Sequence, residues 1–220
     1  MSNKIIITGA TGMVGEGVLM ECLSHPDVSE VLSVSRRPTG MLHTKLKEYI
    51  VSDFLRLKEN DENLRGYNAC FFCAGVSSVG MKEATYTRMT YDTTIHFAKV
   101  LVQLNPQMTF IYVSGASTDS SEKGKLMWAR VKGRTENALL QLPFKKVFNF
   151  RPGFMKITPG QKNAVKLYKY FGWMYPLLKV VLPNSTSTLQ QVGKAMISSL
   201  IIGSDKQILE VKDINKLGER

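Results

Sequence analysis

The chain has 220 residues, 44% of them hydrophobic and 21% charged, and carries a formal net charge of +11. That length suits one α/β domain with a full core and excludes two large ones. No apolar run reaches the ~20 residues of a membrane span, no basic leader precedes the first strand pattern, and three cysteines make no disulfide framework, so a cytoplasmic location is expected.

Ile5, Ile6 and Ile7 are apolar and β-branched, the pattern of a strand buried on both faces. Glycines follow at 9, 12 and 15, and an apolar helical pattern starts at Met13 and Val14. Strand, glycine turn and helix in that order make a phosphate cradle. Glycine lets the backbone turn sharply and lets a pyrophosphate approach it, and the helix N-terminus offers free N–H groups and the positive end of a dipole. Gly9, Thr11, Gly12, Met13, Val14 and Gly15 are therefore candidate cofactor contacts. The alternative is a tight turn that needs small residues for packing.

The first helix is expected to end near residue 24, before His25-Pro26-Asp27. A second strand over 31–35 ends in Arg36-Arg37-Pro38, and a third over 46–51 is closed by Ser52-Asp53-Phe54. A fourth strand over 69–73 leads to Ala74-Gly75, and a long helix follows over 82–104. The fifth strand, 108–113, ends in Ser114-Gly115. A helix over 125–142 and a sixth strand over 146–150 precede Arg151-Pro152-Gly153. Helical patterns at 161–171 and from 189 to about 202, an apolar stretch at 173–182, a last strand over 207–211 and a helical turn at 214–217 complete the chain. This alternation predicts an α/β fold with a Rossmann-type doubly wound parallel sheet. The expected organisation is a single domain over 1–220, with 154–204 as a basic, apolar cap on the substrate side.

Cys70 and Cys73 form a C-x-x-C inside the fourth strand, where residues three apart point to opposite faces, so buried structural thiols are expected. No His, Cys or acidic cluster has metal-ligand spacing, and His96, amid apolar neighbours, reads as a packing histidine. From 137 to 204 there are nine basic residues and no acid. That field suits a phosphorylated cofactor or an anionic substrate, or is a plain solvated face. No nucleic-acid-binding signature is present, and nucleic acid is not expected as a partner. The aromatic and lysine-rich segment 162–182 is open to four readings: a lid, a homodimer surface, a membrane-surface contact or an ordinary helix pair.

In a dinucleotide fold the end of the second strand faces the adenosine ribose. An acid there selects NAD through the 2′-hydroxyl, whereas an arginine pairs with a 2′-phosphate. Arg36 and Arg37 stand at that position with no acid, which favours NADP over NAD unless both are plain surface charges. Asp53 is placed to accept from the adenine amino group, and Cys73, Ala74 and Gly75 to line the nicotinamide-side ribose.

The glycine pattern, the arginine after the second strand, Asp53-Phe54, Ala74-Gly75, the serine after the fifth strand and Arg151-Pro152-Gly153 together resemble the extended and atypical short-chain dehydrogenase/reductase superfamily, which includes the NAD-dependent epimerase/dehydratases. Residues 209–218 are most similar to the Tat-interacting-protein oxidoreductase subgroup. The resemblance implies further cofactor contacts at Phe54, Arg151, Pro152 and Gly153. It also implies a serine after the fifth strand and a Tyr-x-x-x-Lys on the next helix, the tyrosine moving a proton and the lysine holding the ribose. Ser114 is the match for the serine, with Ser117 behind it, and Lys132, followed by Gly133, is the match for the lysine. The tyrosine position is Trp128, whose indole N–H donates a hydrogen bond but exchanges no proton near neutral pH. The implied function is an NAD(P)-binding oxidoreductase or epimerase/dehydratase-like protein acting on a small carbonyl or sugar-nucleotide-like substrate. The alternative is an inactive NADP(H)-sensing regulator or interaction module.

Overall fold

The computed structural model describes residues 2–163, 181 and 183–219. Strand β1 (Asn3–Thr8) leads through the glycine turn into helix α1 (Met13–Ser24), followed by β2 (Val28–Ser35), β3 (Leu46–Ile50) and β4 (Ala69–Phe72). Helices α2 (Glu83–Thr87) and α3 (Thr93–Leu104) flank a π-helical turn over Arg88–Asp92. Then come β5 (Thr109–Val113), α4 (Met127–Leu140), β6 (Lys146–Arg151), β7 (Phe154–Lys156) and β8 (Thr186–Thr188). Helix α5 (Leu189–Ile201), β9 (Ile208–Glu210) and α6 (Val211–Gly218) close the chain.

Seven strands form one sheet in the order β3-β2-β1-β4-β5-β6-β9, with every pairing parallel. The fold is Rossmann-like α/β, as expected. Alternation along β1 explains its all-apolar run. Ile5 and Ile7 enter the core layer shared with α1, α5 and α6, while Ile6 enters the opposite layer with α3. Cys70 and Cys73 divide in the same way. Cys70 lies in the α3 layer and Cys73 packs with Cys22 in the other. All three thiols are free, and burial pushes Cys73 up to about 12, so none is poised as a thiolate.

Two features differ from the sequence expectations. The helix expected over 82–104 is interrupted by the π-turn. Residues 154–156 and 186–188 pair as a separate two-stranded parallel sheet, too short to show any periodicity. The Thr188 side chain caps α5 by accepting from Gln191 N at 3.0 Å, and Gln191 Oε1 accepts from Thr188 N at 2.9 Å. Most of the helix expected over 161–171 and nearly all of the apolar stretch 173–182 lie outside the described residues. The expected cap over 154–204 is accordingly described only at 154–163, 181 and 183–204.

Candidate functional site

Among the described residues, the carboxyl ends of the parallel strands open into clefts, two of which gather residues singled out from the sequence. The first has a volume of about 380 Å³ and is lined by residues that follow β1, β2, β3 and β4. It lies at the point where strand order reverses, between β1 and β4. Gly9 has φ +71°, and a Cβ there would stand 2.7 Å from Ala74 N and from the Cys73 carbonyl. A Cβ on Gly15 would lie 2.2 Å from Gly9 O. The turn is therefore closed by missing side chains. Gly12 N donates to Gly9 O at 2.8 Å, and Ala74 N donates to Thr8 Oγ1 at 3.2 Å, fastening the two strand exits. No side chain caps the first turn of α1 at Gly12, so its leading N–H groups are not taken by a cap.

Gly9, Thr11, Gly12, Arg36, Arg37, Asp53, Phe54, Cys73, Ala74 and Gly75 all line this cleft. Arg36 and Arg37 are exposed. Asp53 caps the short turn Phe54–Arg56, accepting from Leu55 N at 3.0 Å, with Arg56 Nε at 3.6 Å. Met13 and Val14 do not line the cleft with their side chains, which pack against the core. Their place is in the first turn of α1.

The second cleft, about 870 Å³, is lined by residues after β5, β6 and β9, with Trp128 and Lys132 of α4 one turn apart on its wall. Gly115, Pro152, Gly153, Glu210 and Lys212 also line it. Lys132 Nζ donates to the Ser114 carbonyl oxygen. Burial pushes the Lys132 ammonium down to about 8, opposed by the Glu136 carboxylate. Ser114 also lines this cleft, and its hydroxyl is engaged by buried groups of the fold. Its Oγ lies 2.5 Å from Glu136 Oε1 and 3.1 Å from Phe150 O. Arg151 is committed to the same carboxylate, with Nε at 3.0 Å from Oε1 and Nη2 at 2.5 Å from Oε2, and it also reaches Glu210 at 3.1 Å. Arg151 lines neither cleft, because Glu136 and Glu210 hold its guanidinium. Ser117 is exposed and lines neither.

The model of the NAD dependent epimerase/dehydratase family matches residues 5–125. The chain belongs to that family. The similarity extends over whole proteins. Protein FMP52, mitochondrial, of Coccidioides immitis (strain RS) is 27% identical over 239 residues, covering 96% of this chain and 95% of its own. Protein HTATIP2 of Rattus norvegicus is 25% identical over 236 residues, covering 100% of this chain and 91% of its own. Among solved structures, MoeE5 in complex with UDP-glucose and NAD has a TM-score of 0.67 at 16% identity, over 98% of this chain and 80% of that one. The family fixes the cofactor class as a nicotinamide dinucleotide and the function class as oxidoreductase- or epimerase-like. The mitochondrial names of the FMP52 relatives overturn the cytoplasmic location expected from the sequence. Among the described residues, no helix is long and apolar enough to cross a membrane.

Within this epimerase/dehydratase framework, no described tyrosine takes the place of the missing hydroxyl. Tyr86 and Tyr112 are buried, and the Tyr91 ring lies 4.2 Å beneath the Arg134 guanidinium. None of the three lines either cleft. His96 places Nε2 at 3.1 Å from Leu57 O, a packing contact between α3 and the turn after β3. Among the described residues, no group of three or more His, Cys, Asp or Glu could hold a metal. Two residues were not singled out from the sequence. Glu136 follows Lys132 by four positions, so helical spacing alone places it beside the lysine. Arg88 lines the first cleft from the π-turn, and no sequence pattern marks that turn.

Proposed function

We propose that the protein binds NADP(H) with its adenosine and pyrophosphate in the first cleft and its nicotinamide end reaching Lys132 in the second, and carries out oxidoreductase or epimerase/dehydratase-like chemistry on a small carbonyl or sugar-nucleotide-like substrate there. The observation that carries this reading is the convergence of the glycine turn, Arg36, Arg37, Asp53 and Cys73-Ala74-Gly75 on one cleft. Missing Cβ atoms at Gly9 and Gly15 let the backbone close into a tight turn at the head of α1, the form a pyrophosphate cradle takes. The turn and the first N–H groups of α1 would hold the pyrophosphate, Arg36 and Arg37 the 2′-phosphate, and Asp53 the adenine amino group. Cys73, Ala74 and Gly75 would line the nicotinamide-side ribose, with Lys132 holding its hydroxyls. Pro152 and Gly153 wall the substrate side. The bound cofactor supplies or accepts hydride. Lys132 would polarise the carbonyl oxygen as an ammonium and pass it the proton that balances the hydride, the role left to it with Trp128 in the tyrosine place.

A second reading is an inactive NADP(H) sensor. It is favoured by Trp128, whose indole N–H does not exchange near neutral pH, and by the Ser114 hydroxyl, whose proton is already donated to Glu136.

Fluorescence titration with NADPH and NADH tests the cofactor claim. Arg36→Ala with Arg37→Ala is expected to weaken NADPH by at least about tenfold while leaving NADH nearly unchanged. Equal loss for both cofactors contradicts 2′-phosphate recognition, and no binding of either at millimolar concentration removes the reading. A carbonyl panel then separates the two functions. The enzyme reading expects wild-type turnover that Lys132→Ala abolishes and that falls as pH rises through about 8, where the ammonium loses its proton. An inert wild type made active by Trp128→Tyr supports the sensor.

A further inference from the structure

We propose that Arg88 is a third arginine of the dinucleotide cleft, holding the cofactor's pyrophosphate from the helical wall; this rests on the cofactor reading above. Arg88 opens the π-turn that joins α2 to α3 and lines the first cleft together with Met89 and Thr93. Arg88 enters the cleft from the helical segment that follows β4, the neighbour of β1 and its glycine turn on one side, whereas Arg36 and Arg37 enter it from β2, the neighbour on the other side. The helical segment leaves the β4 exit, which meets the glycine turn at Gly9 and Ala74. Further along, α3 packs on the turn after β3, with the Phe54 and Phe97 rings 5.2 Å apart. Residues 88–93 come between these two points in the chain and line the cleft at Arg88, Met89 and Thr93, whereas Arg36 and Arg37 stand at the end of β2.

The π-turn is what sets this placement. Tyr86 is buried before it, and Thr94, Ile95, Phe97 and Ala98 are buried after it. One inserted residue shifts the two faces by about 100° relative to an unbroken α-helix. With α3 held in its packed position, an unbroken helix would carry Arg88 round the axis by that angle. The Arg88 side chain is exposed and makes no ion pair or side-chain hydrogen bond with any described residue. The cleft therefore holds three arginines against one acid, Asp53, which is already beside Arg56. A planar guanidinium suits two phosphate oxygens at once.

The test compares Arg88→Ala and Arg88→Lys with wild type, using NADPH, NADH, ADP-ribose (pyrophosphate, no 2′-phosphate) and 2′-AMP (2′-phosphate, no pyrophosphate). Arg88→Ala is expected to weaken NADPH, NADH and ADP-ribose alike, by about tenfold or more, with 2′-AMP affinity and Tm unchanged. Arg88→Lys recovers part of the loss. A loss confined to NADPH and 2′-AMP overturns the pyrophosphate assignment, and unchanged affinity for all four ligands overturns any role for Arg88. Wild type failing to bind all four removes the cofactor reading itself and this proposal with it. Wild type binding normally while Arg88→Ala also binds normally defeats only the present inference.

Discussion

Glu136 is fully buried, and its carboxylate receives the Arg151 guanidinium and the Ser114 hydroxyl together. Ser114 follows β5, Arg151 ends β6, and Glu136 rides on the helix that carries Lys132. One carboxylate thus fastens two strand ends to the helix behind the second cleft. A buried charge is tolerated only when it is paired and hydrogen-bonded, and removing one partner leaves the other desolvated. Arg151→Leu is expected to destabilise the fold by about 3–5 kcal/mol, because it leaves Glu136 buried without its cation. The double variant Glu136→Leu with Arg151→Leu should cost less than the single one. Urea unfolding measures both, and a single-variant loss under about 1 kcal/mol contradicts the account. From sequence, Arg151 looked like a cofactor contact. Nothing in a linear pattern tells that a residue fifteen positions upstream turns its carboxylate to meet it.

At the scale of elements, α1 does more than present its N-terminus to the first cleft. Glu16, in its first turn, is buried and accepts from the backbone of Lys162 at 2.8 Å and Asn163 at 2.7 Å. Gln161 adds a second tie, donating to Met13 O at 2.8 Å while its Oε1 accepts from Thr158 N at 2.7 Å. The stretch 158–163 is therefore latched to the helix that carries the glycine turn. Glu16→Ala removes a charged acceptor from two backbone donors and is expected to cost about 2–4 kcal/mol in urea unfolding, with Glu16→Gln intermediate because one amide oxygen replaces two carboxylate oxygens. A Glu16→Ala variant within about 0.5 kcal/mol of wild type would falsify the latch. Local signals were sufficient for α1 itself, since glycine spacing and apolar periodicity coincide there. They were insufficient for the interruption of 82–104, because the sequences on both sides of the π-turn are helical and only tertiary packing decides where an extra residue is accommodated.

For the molecule as a whole, a parallel sheet covered on both faces followed from alternating strand and helix patterns, because such a sheet must bury both faces and each strand run says so. That the loops of the first cleft meet was legible only through the dinucleotide-fold resemblance, since the strand order that brings them together is not in the pattern. Gly9, Arg36, Asp53 and Ala74 come from four separate strand exits, and they form a cleft only because β1 sits between β2 and β4. The partners of side chains were hidden, as with Ser114, whose position after β5 was legible but whose hydroxyl is held by Glu136. A ligand in this cleft would touch the ends of β1, β2, β3 and β4 at once, so unfolding the sheet must release it. Binding to the native state alone stabilises by about 2.7 kcal/mol at a hundredfold excess over Kd, which for a chain of this size raises Tm by about 5–10 °C. NADPH is expected to produce that shift and NADH, at the same concentration, a smaller one. The shift with NADPH should shrink as salt rises, since Arg36 and Arg37 are exposed and their attraction is screened. Equal shifts for both cofactors at every ionic strength would show that the arginines at the end of β2 do not read the 2′-phosphate.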